Sequence, residues 1–342
     1  MTFPGAAGAW ERIQERSDQV VEAAGLRALE VENSRGSIEV RSSADGRIHV
    51  AATKVVRAET RSHAEALARE IEVTTDRREG RYVISVHYAR HTNVHVGFFQ
   101  LFSGFELPLA EVRMVIEAPA ALIVRLTAAS GDLTTEGRSG AQTLETRSGD
   151  ITVRDARGVL EASSASGDLA VSGVQAARLR SSSGDISLAG ARGPVRVTTT
   201  SGDVEVKGAS DSLSLESTSG DVSADAAPRG LWAGTVSGDI SVHEVAGEVR
   251  ARSTSGGITL GLAAPLRRVE ASSQSGEVHV TIAHGVGATL DLHSTSGTLD
   301  VNLPLALDKA ERHAILGRVG SGGAPVTLRS TSGDITVESG DR

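Results

Sequence analysis

The sequence predicts an all-β fold: a parallel, right-handed β-solenoid with coils of about 18 residues and a small α+β region ahead of it. Three observations predict it. First, Ser130, Ser148, Ser166, Ser183, Ser201, Ser219, Ser237, Ser255, Ser275, Ser296 and Ser332 each precede a glycine, at steps of 18, 18, 17, 18, 18, 18, 18, 20, 21 and 36 residues. Second, each unit alternates with period 2. Val195, Val197, Thr199 and Ser201 share one parity, Gly202-Asp203 follows, and Val204 and Val206 resume. That pattern is a half-buried strand, a corner and a second short strand. Third, only 3% of residues are aromatic and 38 are glycine, which suits a narrow core of β-branched and small side chains. The rival is an antiparallel meander. It fits less well, because it does not explain why one-residue slips, which would turn a core column outward, are nearly absent.

Taken in order, residues 1–25 form an N-terminal helical segment, with Trp10, Ile13, Val20 and Val21 roughly on one side between residues 6 and 23. Residues 26–126 form a β-rich region with one helix and a Phe-rich loop. The helix is expected over 62–71, with Ser62 as N-cap, Glu65 completing a capping box, and Ala66, Leu67 and Ile71 facing the core. Residues 127–342 form the repeat array, with an excursion at 304–325 that carries a short helical pattern from Leu307 to Leu316. The 36-residue step before Ser332 is two periods long, so one copy is overwritten or looped out there.

The order Val31 to Val40, then Ala51-Ala52-Thr53-Lys54, then the helix from Glu65, then the Ser-Gly-Asp-Ile-x-Val array, resembles the bacterial DUF4097 family of adhesin-like β-strand-repeat proteins. The resemblance covers roughly residues 26–340, with Ser-Gly-Asp where many members have Asn-Gly-Asp. It implies a β-helix-like, non-enzymatic domain, often envelope- or stress-associated, with no catalytic residues to carry over.

Net charge is −8, and there is no Lys/Arg block, which disfavours a nucleic-acid partner. There is no cysteine for disulfides or thiolate sites. Neither a basic-then-apolar leader nor an apolar run of about 20 residues is seen, so a cytoplasmic location is expected, with envelope association as the alternative.

Candidate contact residues are Phe98, Phe99, Phe102 and Phe105, four of the five phenylalanines of the chain, in a loop that either plugs one end of the solenoid or meets a partner. His87, His91 and His95 are spaced by four, but in strand and loop that spacing does not converge on a metal. The aspartates Asp132, Asp150, Asp168, Asp185, Asp203, Asp221 and Asp239 form a corner column. Its carboxylates either accept corner amide hydrogen bonds or are bridged by Ca²⁺. Acids such as Glu205, Glu216 and Glu248 are scattered outward beside Arg196, Arg250 and Arg252, so a polysaccharide-active enzyme is disfavoured. Ser-x-Ser columns suggest an ice-binding ladder only weakly, since their hydroxyls fall on the inward parity.

The expectation is a non-catalytic, adhesin-like binding scaffold without cofactor. Its partner would be a protein or a component of the cell envelope. The alternative is a self-associating scaffold comparable to the cytoskeletal bactofilins, with solenoid ends pairing through open edges.

Overall fold

Val195 lies in parallel register beside Ala177 of the preceding repeat and Leu213 of the following one. This computed structural model describes residues 10–88 and 109–340. The chain divides after Gly149 into two units.

The second unit begins with β11 (Ile151–Arg154), β12 (Val159–Ser166), β13 (Leu169–Ser172), β14 (Ala176–Ser183), β15 (Ile186–Ala189), β16 (Val195–Ser201), β17 (Val204–Lys207), β18 (Leu213–Ser219) and β19 (Val222–Ala227). It continues with β20 (Leu231–Ser237), β21 (Ile240–Ser255), β22 (Ile258–Ser275), β23 (Val278–Ile282), β24 (Ala288–Ser294) and β25 (Leu299–Asn302). Then come β26 (Leu305–Glu311), β27 (Ala314–Val319), β28 (Ala324–Ser332) and β29 (Ile335–Ser339).

Strands β12, β14, β16, β18 and β20 pair in parallel one repeat apart, as do β11, β13, β15, β17 and β19. The meander is therefore excluded for this array. Leu160, Ala177, Val195, Leu213, Leu231, Val249 and Val269 form one buried inward column. Each fully buried Val or Leu contributes roughly 1.5–3 kcal/mol. Hydroxyls on the same parity are buried at low cost because each has a backbone acceptor. Ser217, Thr235 and Ser253 donate to the carbonyls of Gly202, Gly220 and Gly238 at 3.2–3.4 Å.

The 36-residue step has a topological cause. β28 pairs in parallel with β22 on one side and β24 on the other, and β29 sits likewise between β23 and β25. The rung latest in this sequence thus slots between the two before it, and no copy is missing. The excursion at 304–325 is a β-hairpin, not the expected helix. β27 runs antiparallel along β24 and pairs with β26. An open β24 edge offers backbone partners that outweigh local helix propensity.

Asp334 in the inserted rung accepts the Thr298 amide at 2.7 Å, and that backbone bond holds its carboxyl below the ordinary value of 3.8. A depressed acid stabilises the fold above its unfolded pKa and loses that contribution as pH falls through the folded one. In urea melts across pH, the stability advantage of the wild type over Asp334→Ala is therefore expected to shrink as pH drops below about 4. An advantage that stays constant down to pH 2 would refute this.

The first unit contains β1 (Glu11–Glu22), β2 (Ala28–Arg35), β3 (Ile38–Ser42), β4 (Arg47–Ala58), α1 (Arg61–Arg69), β5 (Glu72–Arg78) and β6 (Arg81–His87). They are followed by β7 (Leu109–Ala118), β8 (Ile123–Ser130), β9 (Leu133–Glu136) and β10 (Gln142–Ser148). Here too the rungs are out of sequence order: β2 lies between β6 and β8, and β3 between β7 and β9.

The expected N-terminal helix is instead strand β1, antiparallel to β4 from Glu11↔Ala58 to Glu22↔Arg47. Its mostly exposed, charged side chains suit an edge strand. Helix α1 is capped by Thr60, whose hydroxyl accepts the His63 amide at 3.2 Å, so Ser62 is not the cap. The helix buries Ala64 and Ala68, and Ile71 just beyond it is buried as expected, whereas Leu67 is half-buried and Ala66 exposed. Glu65 pairs with Arg61 instead of closing a capping box.

Candidate functional site: a groove across parallel rungs

At the corners of the second unit, backbone and side chain make two files of hydrogen bonds. The Gly184, Gly202 and Gly220 amides donate to Ser201, Ser219 and Ser237 carbonyls one repeat on, each at 3.0 Å. Beside them, the Asp168, Asp185, Asp203, Asp221 and Asp239 amides donate to Oδ1 of the aspartate one repeat back, Asp150 to Asp221, at 2.8–2.9 Å. Gly257, which lacks a carboxylate, still donates to Asp239 at 2.7 Å. Asp132 lies in the first unit, at the turn from β8 to β9. The arrangement satisfies exposed amides at every turn.

A groove of about 680 Å³ crosses the second unit at the start of β12, β14, β16, β18 and β20. Its floor is small because of the residue that leads each strand: Val159, Ala176, Pro194, Ser212 and Gly230. Buried Leu160, Ala177, Val195, Leu213 and Leu231 lie beneath. Its wall is the next outward column, in register: Glu161, Arg178, Arg196, Ser214, Trp232 and Arg250. With a rung rise of about 4.8 Å, the five steps from Val159 to Glu248 span roughly 24 Å.

Two wall arginines are already engaged. Arg196 pairs with Glu216 at 3.1 Å, and Arg250 with Glu270 at 3.1 Å. Arg268 hydrogen-bonds Glu270 as well and is the main reason its carboxyl sits below the usual range. Among the described residues, Arg178, Arg180 and Arg252 make no ion pair.

A family model described as Toastrack DUF4097 matches residues 26–230 and 234–338. The chain belongs to the Toastrack DUF4097 family. The Toastrack match covers both units. Solved structures similar to this Toastrack chain include a proposed adhesin from Parabacteroides distasonis, at 11% identity and a TM-score of 0.33, covering 95% of this chain and 97% of that one. A proposed lipid-binding protein from the same organism has 12% identity, a TM-score of 0.31 and the same coverages. A proposed adhesin from Bacteroides fragilis has 12% identity and a TM-score of 0.28, covering 94% of this chain and 97% of that one. No curated protein matches the chain.

Among the described residues, no three His, Asp or Glu side chains converge as metal ligands, and no helix is long and apolar enough to cross a membrane. Phe98, Phe99, Phe102, Phe105, His91 and His95 lie outside the described residues. The chain leaves for that segment at Tyr88, whose single hydroxyl proton faces two acceptors, the Arg35 carbonyl at 2.5 Å and Asn33 Oδ1 at 2.9 Å. The same hydroxyl accepts the Val112 amide at 3.1 Å. Burial pushes the Tyr88 hydroxyl pKa well up.

The first unit also buries a cation that the sequence reading passed over. Arg138 is fully buried and donates to the carbonyls of Ala118, Pro119 and Leu122 at 2.6, 2.8 and 3.2 Å. Desolvation pulls its pKa down to about 10, so it remains charged at neutral pH. The equivalent turn position in later repeats is Ala156, Val174 or Ala191, all buried. Arg138→Ala is expected to cost about 2–3 kcal/mol in urea denaturation, through the orphaned carbonyls, that of Arg41 at 3.4 Å included, and a void. Arg138→Met, which keeps the bulk, should cost less; equal losses would mean that the bulk contributes nothing.

The groove itself was missed in the sequence. Its signals are the small residue leading each strand, and Trp232, one of two tryptophans in the chain, set on an outward position of a strand.

Proposed function

We propose that this protein is a non-catalytic binding scaffold whose ligand seat is the groove between Val159 and Arg250. The observation that carries this is the groove itself: a concave strip with an apolar floor and a polar wall, repeated over successive rungs. The outward acids support a binding role over hydrolysis. Glu205 pairs with Lys207, Glu216 with Arg196 and Glu270 with Arg268 and Arg250, while the two acids that line the groove, Glu161 and Glu248, lie at its opposite ends, five rungs or ~24 Å apart, too far to act as a catalytic pair.

The strand edges favour this reading over filament assembly. In the second unit the outermost strand on one side is β26, which is antiparallel and carries the Lys309–Glu311 pair, and on the other is β25, parallel to β29 but only four residues long. In the first unit β1 is antiparallel and charged along its length. Antiparallel, charged or very short edges offer little of the parallel template that a stacked rung would need.

The test is a thermal-shift screen of glycans, lipids and peptides on the wild type and on Trp232→Ala. A ligand of the groove at a hundredfold excess over its Kd should stabilise the wild type by about 2.7 kcal/mol, and Trp232→Ala by much less. It should be recovered chemically unchanged after prolonged incubation. Release of product, or concentration-dependent growth of particles in light scattering, would defeat the reading.

A further inference from the structure

We propose that the groove takes a linear acidic glycan, a polyuronate chain, laid across the rungs with one sugar ring against Trp232 and its carboxylates on the arginines of the wall. This rests on the groove being the ligand seat.

The first ground is how Trp232 is held. A Cβ built on Gly234 would lie 3.2, 3.4 and 3.9 Å from Cη2, Cζ3 and Cζ2 of the indole. The indole therefore runs along its own strand and overlies Gly234, where any side chain would lift it. It remains 38% exposed. An aromatic ring laid along a sheet and open on one side is a platform for another flat, partly apolar surface. The C–H face of a pyranose is such a surface.

The second ground is what surrounds the ring. Trp232 is in register with Ser214 on one side and Arg250 on the other, and Gly234 with Glu216 and Arg252. Hydroxyl, carboxylate and guanidinium groups beside an aromatic platform are donors and acceptors suited to the hydroxyls and carboxylates of a sugar.

The third ground is charge. On a chain of net charge −8, the groove and the outward residues beside it carry Arg178, Arg180, Arg196, Arg250 and Arg252 against Glu161, Glu216, Glu248 and Glu270. Arg178, Arg180 and Arg252 are without an ion pair among the described residues. Guanidinium groups pair with carboxylates bidentately, and Arg178, Arg196 and Arg250 stand along the wall at separations of one and three rungs, so they offer several contacts to an extended polyanion. A fatty acid would also meet an apolar floor and an arginine, but it carries a single carboxylate and makes no use of a row of cations.

The experiment uses the full chain with Trp10→Phe, so that fluorescence reports Trp232 alone. The probes are hexagalacturonate, neutral cellohexaose, poly-L-glutamate and dodecanoate, followed by fluorescence and calorimetry. Hexagalacturonate is expected to bind, to change Trp232 emission and to weaken as salt rises. Cellohexaose should bind less tightly. Trp232→Ala, measured by calorimetry, and Gly234→Leu should each weaken hexagalacturonate by about tenfold or more. Arg178→Gln combined with Arg252→Gln should flatten the salt dependence. All four positions are on the surface, and an unchanged melting temperature will show that the variants fold.

Poly-L-glutamate binding as tightly as hexagalacturonate, with Trp232→Ala without effect, would overturn the proposal in favour of a general anion surface. Binding of dodecanoate but not hexagalacturonate, lost in Trp232→Ala, would overturn the glycan while leaving the groove as a ligand seat. If none of the four probes binds, the glycan falls; the groove falls with it only if the wider screen also finds no ligand sensitive to Trp232.

Discussion

Deleting residues 324–340 is expected to unfold the region from β24 to β27 and to expose the last inward columns of β22 and β23. The deleted rung contributes Val326, Leu328, Ile335 and Val337, all fully buried. Each is worth roughly 1.5–3 kcal/mol, so the loss is of order 6–12 kcal/mol as an upper bound. More than area is removed. Val326 is the partner of both Val269 and Leu290, and Ile335 of both Val278 and Leu299. Without them β24 and β25 have no parallel neighbour. Hydrogen exchange should show amides of 286–323 freely exchanging in the truncated chain, while those around β14 to β18 stay protected. A synthetic peptide of residues 324–340 added in trans should restore protection, because the slot is defined by backbone pairing on both sides. A truncated chain in which β24 remained protected would mean that β24 docks directly on β22, contrary to the topology described above.

The second large effect is expected at the corner. Gly202→Ala should cost about 4 kcal/mol or more, combining backbone strain with wedging of the rungs. Gly202 has φ = 134°, a conformation that L side chains rarely adopt. A Cβ there would lie 2.2 Å from the Gly184 carbonyl oxygen and 2.6 Å from its carbon, both backbone atoms of the neighbouring rung. Relief requires the rungs to part, which breaks the bond from the Gly184 amide to Ser201 and the Asp203 amide's bond to Asp185. Gly208→Ala is the control. Its φ is 62° and its nearest foreign atom, the Gly190 nitrogen, would lie at 3.7 Å, so only the left-handed backbone cost of about 1–2 kcal/mol applies. Urea midpoints of the two variants decide it; similar losses would mean that crowding between rungs is not what fixes the glycine.

These two sites show what the sequence made legible. The corner glycines recur in phase because a local rule, room for one backbone atom against the next, acts at every repeat, and a local rule leaves a periodic trace. Inward parity is equally local, which is why Val195, Val197 and Thr199 could be placed on the buried face before any coordinates. The order of the rungs is not local. Every rung presents nearly the same columns, so nothing in Val326 or Leu328 announces which neighbours the β28–β29 rung takes. The sequence alone suggested succession, and a gap where Ser296 and Ser332 are 36 residues apart. Residues 11–22 and 305–319 failed for a related reason. Their short apolar spacings are compatible with a helix, but an unpaired strand edge at β4 or β24 supplies hydrogen bonds that no isolated helix can match.

The groove lies between these cases. Its floor follows from Ala176, Pro194, Ser212 and Gly230, visible as small residues but not as a concavity until the strands are stacked. Trp232 was visible as a lone aromatic, yet the role of Gly234 beneath it requires knowing that the two share a face and that the indole lies along it. Arg138 is hidden for the opposite reason: an arginine in a turn reads as solvated, and only the convergence of four carbonyls on its guanidinium shows that it is not.

The inserted rung bears on how the protein is made. A ribosome releases residues 288–302 before 326–337, so for the interval between them the emerging chain holds a strand pair whose inner neighbours have not yet been translated. The far end of this unit can close only when those later codons have been read, and a message cut short upstream of them would yield a product with a raw edge that proteases can grip.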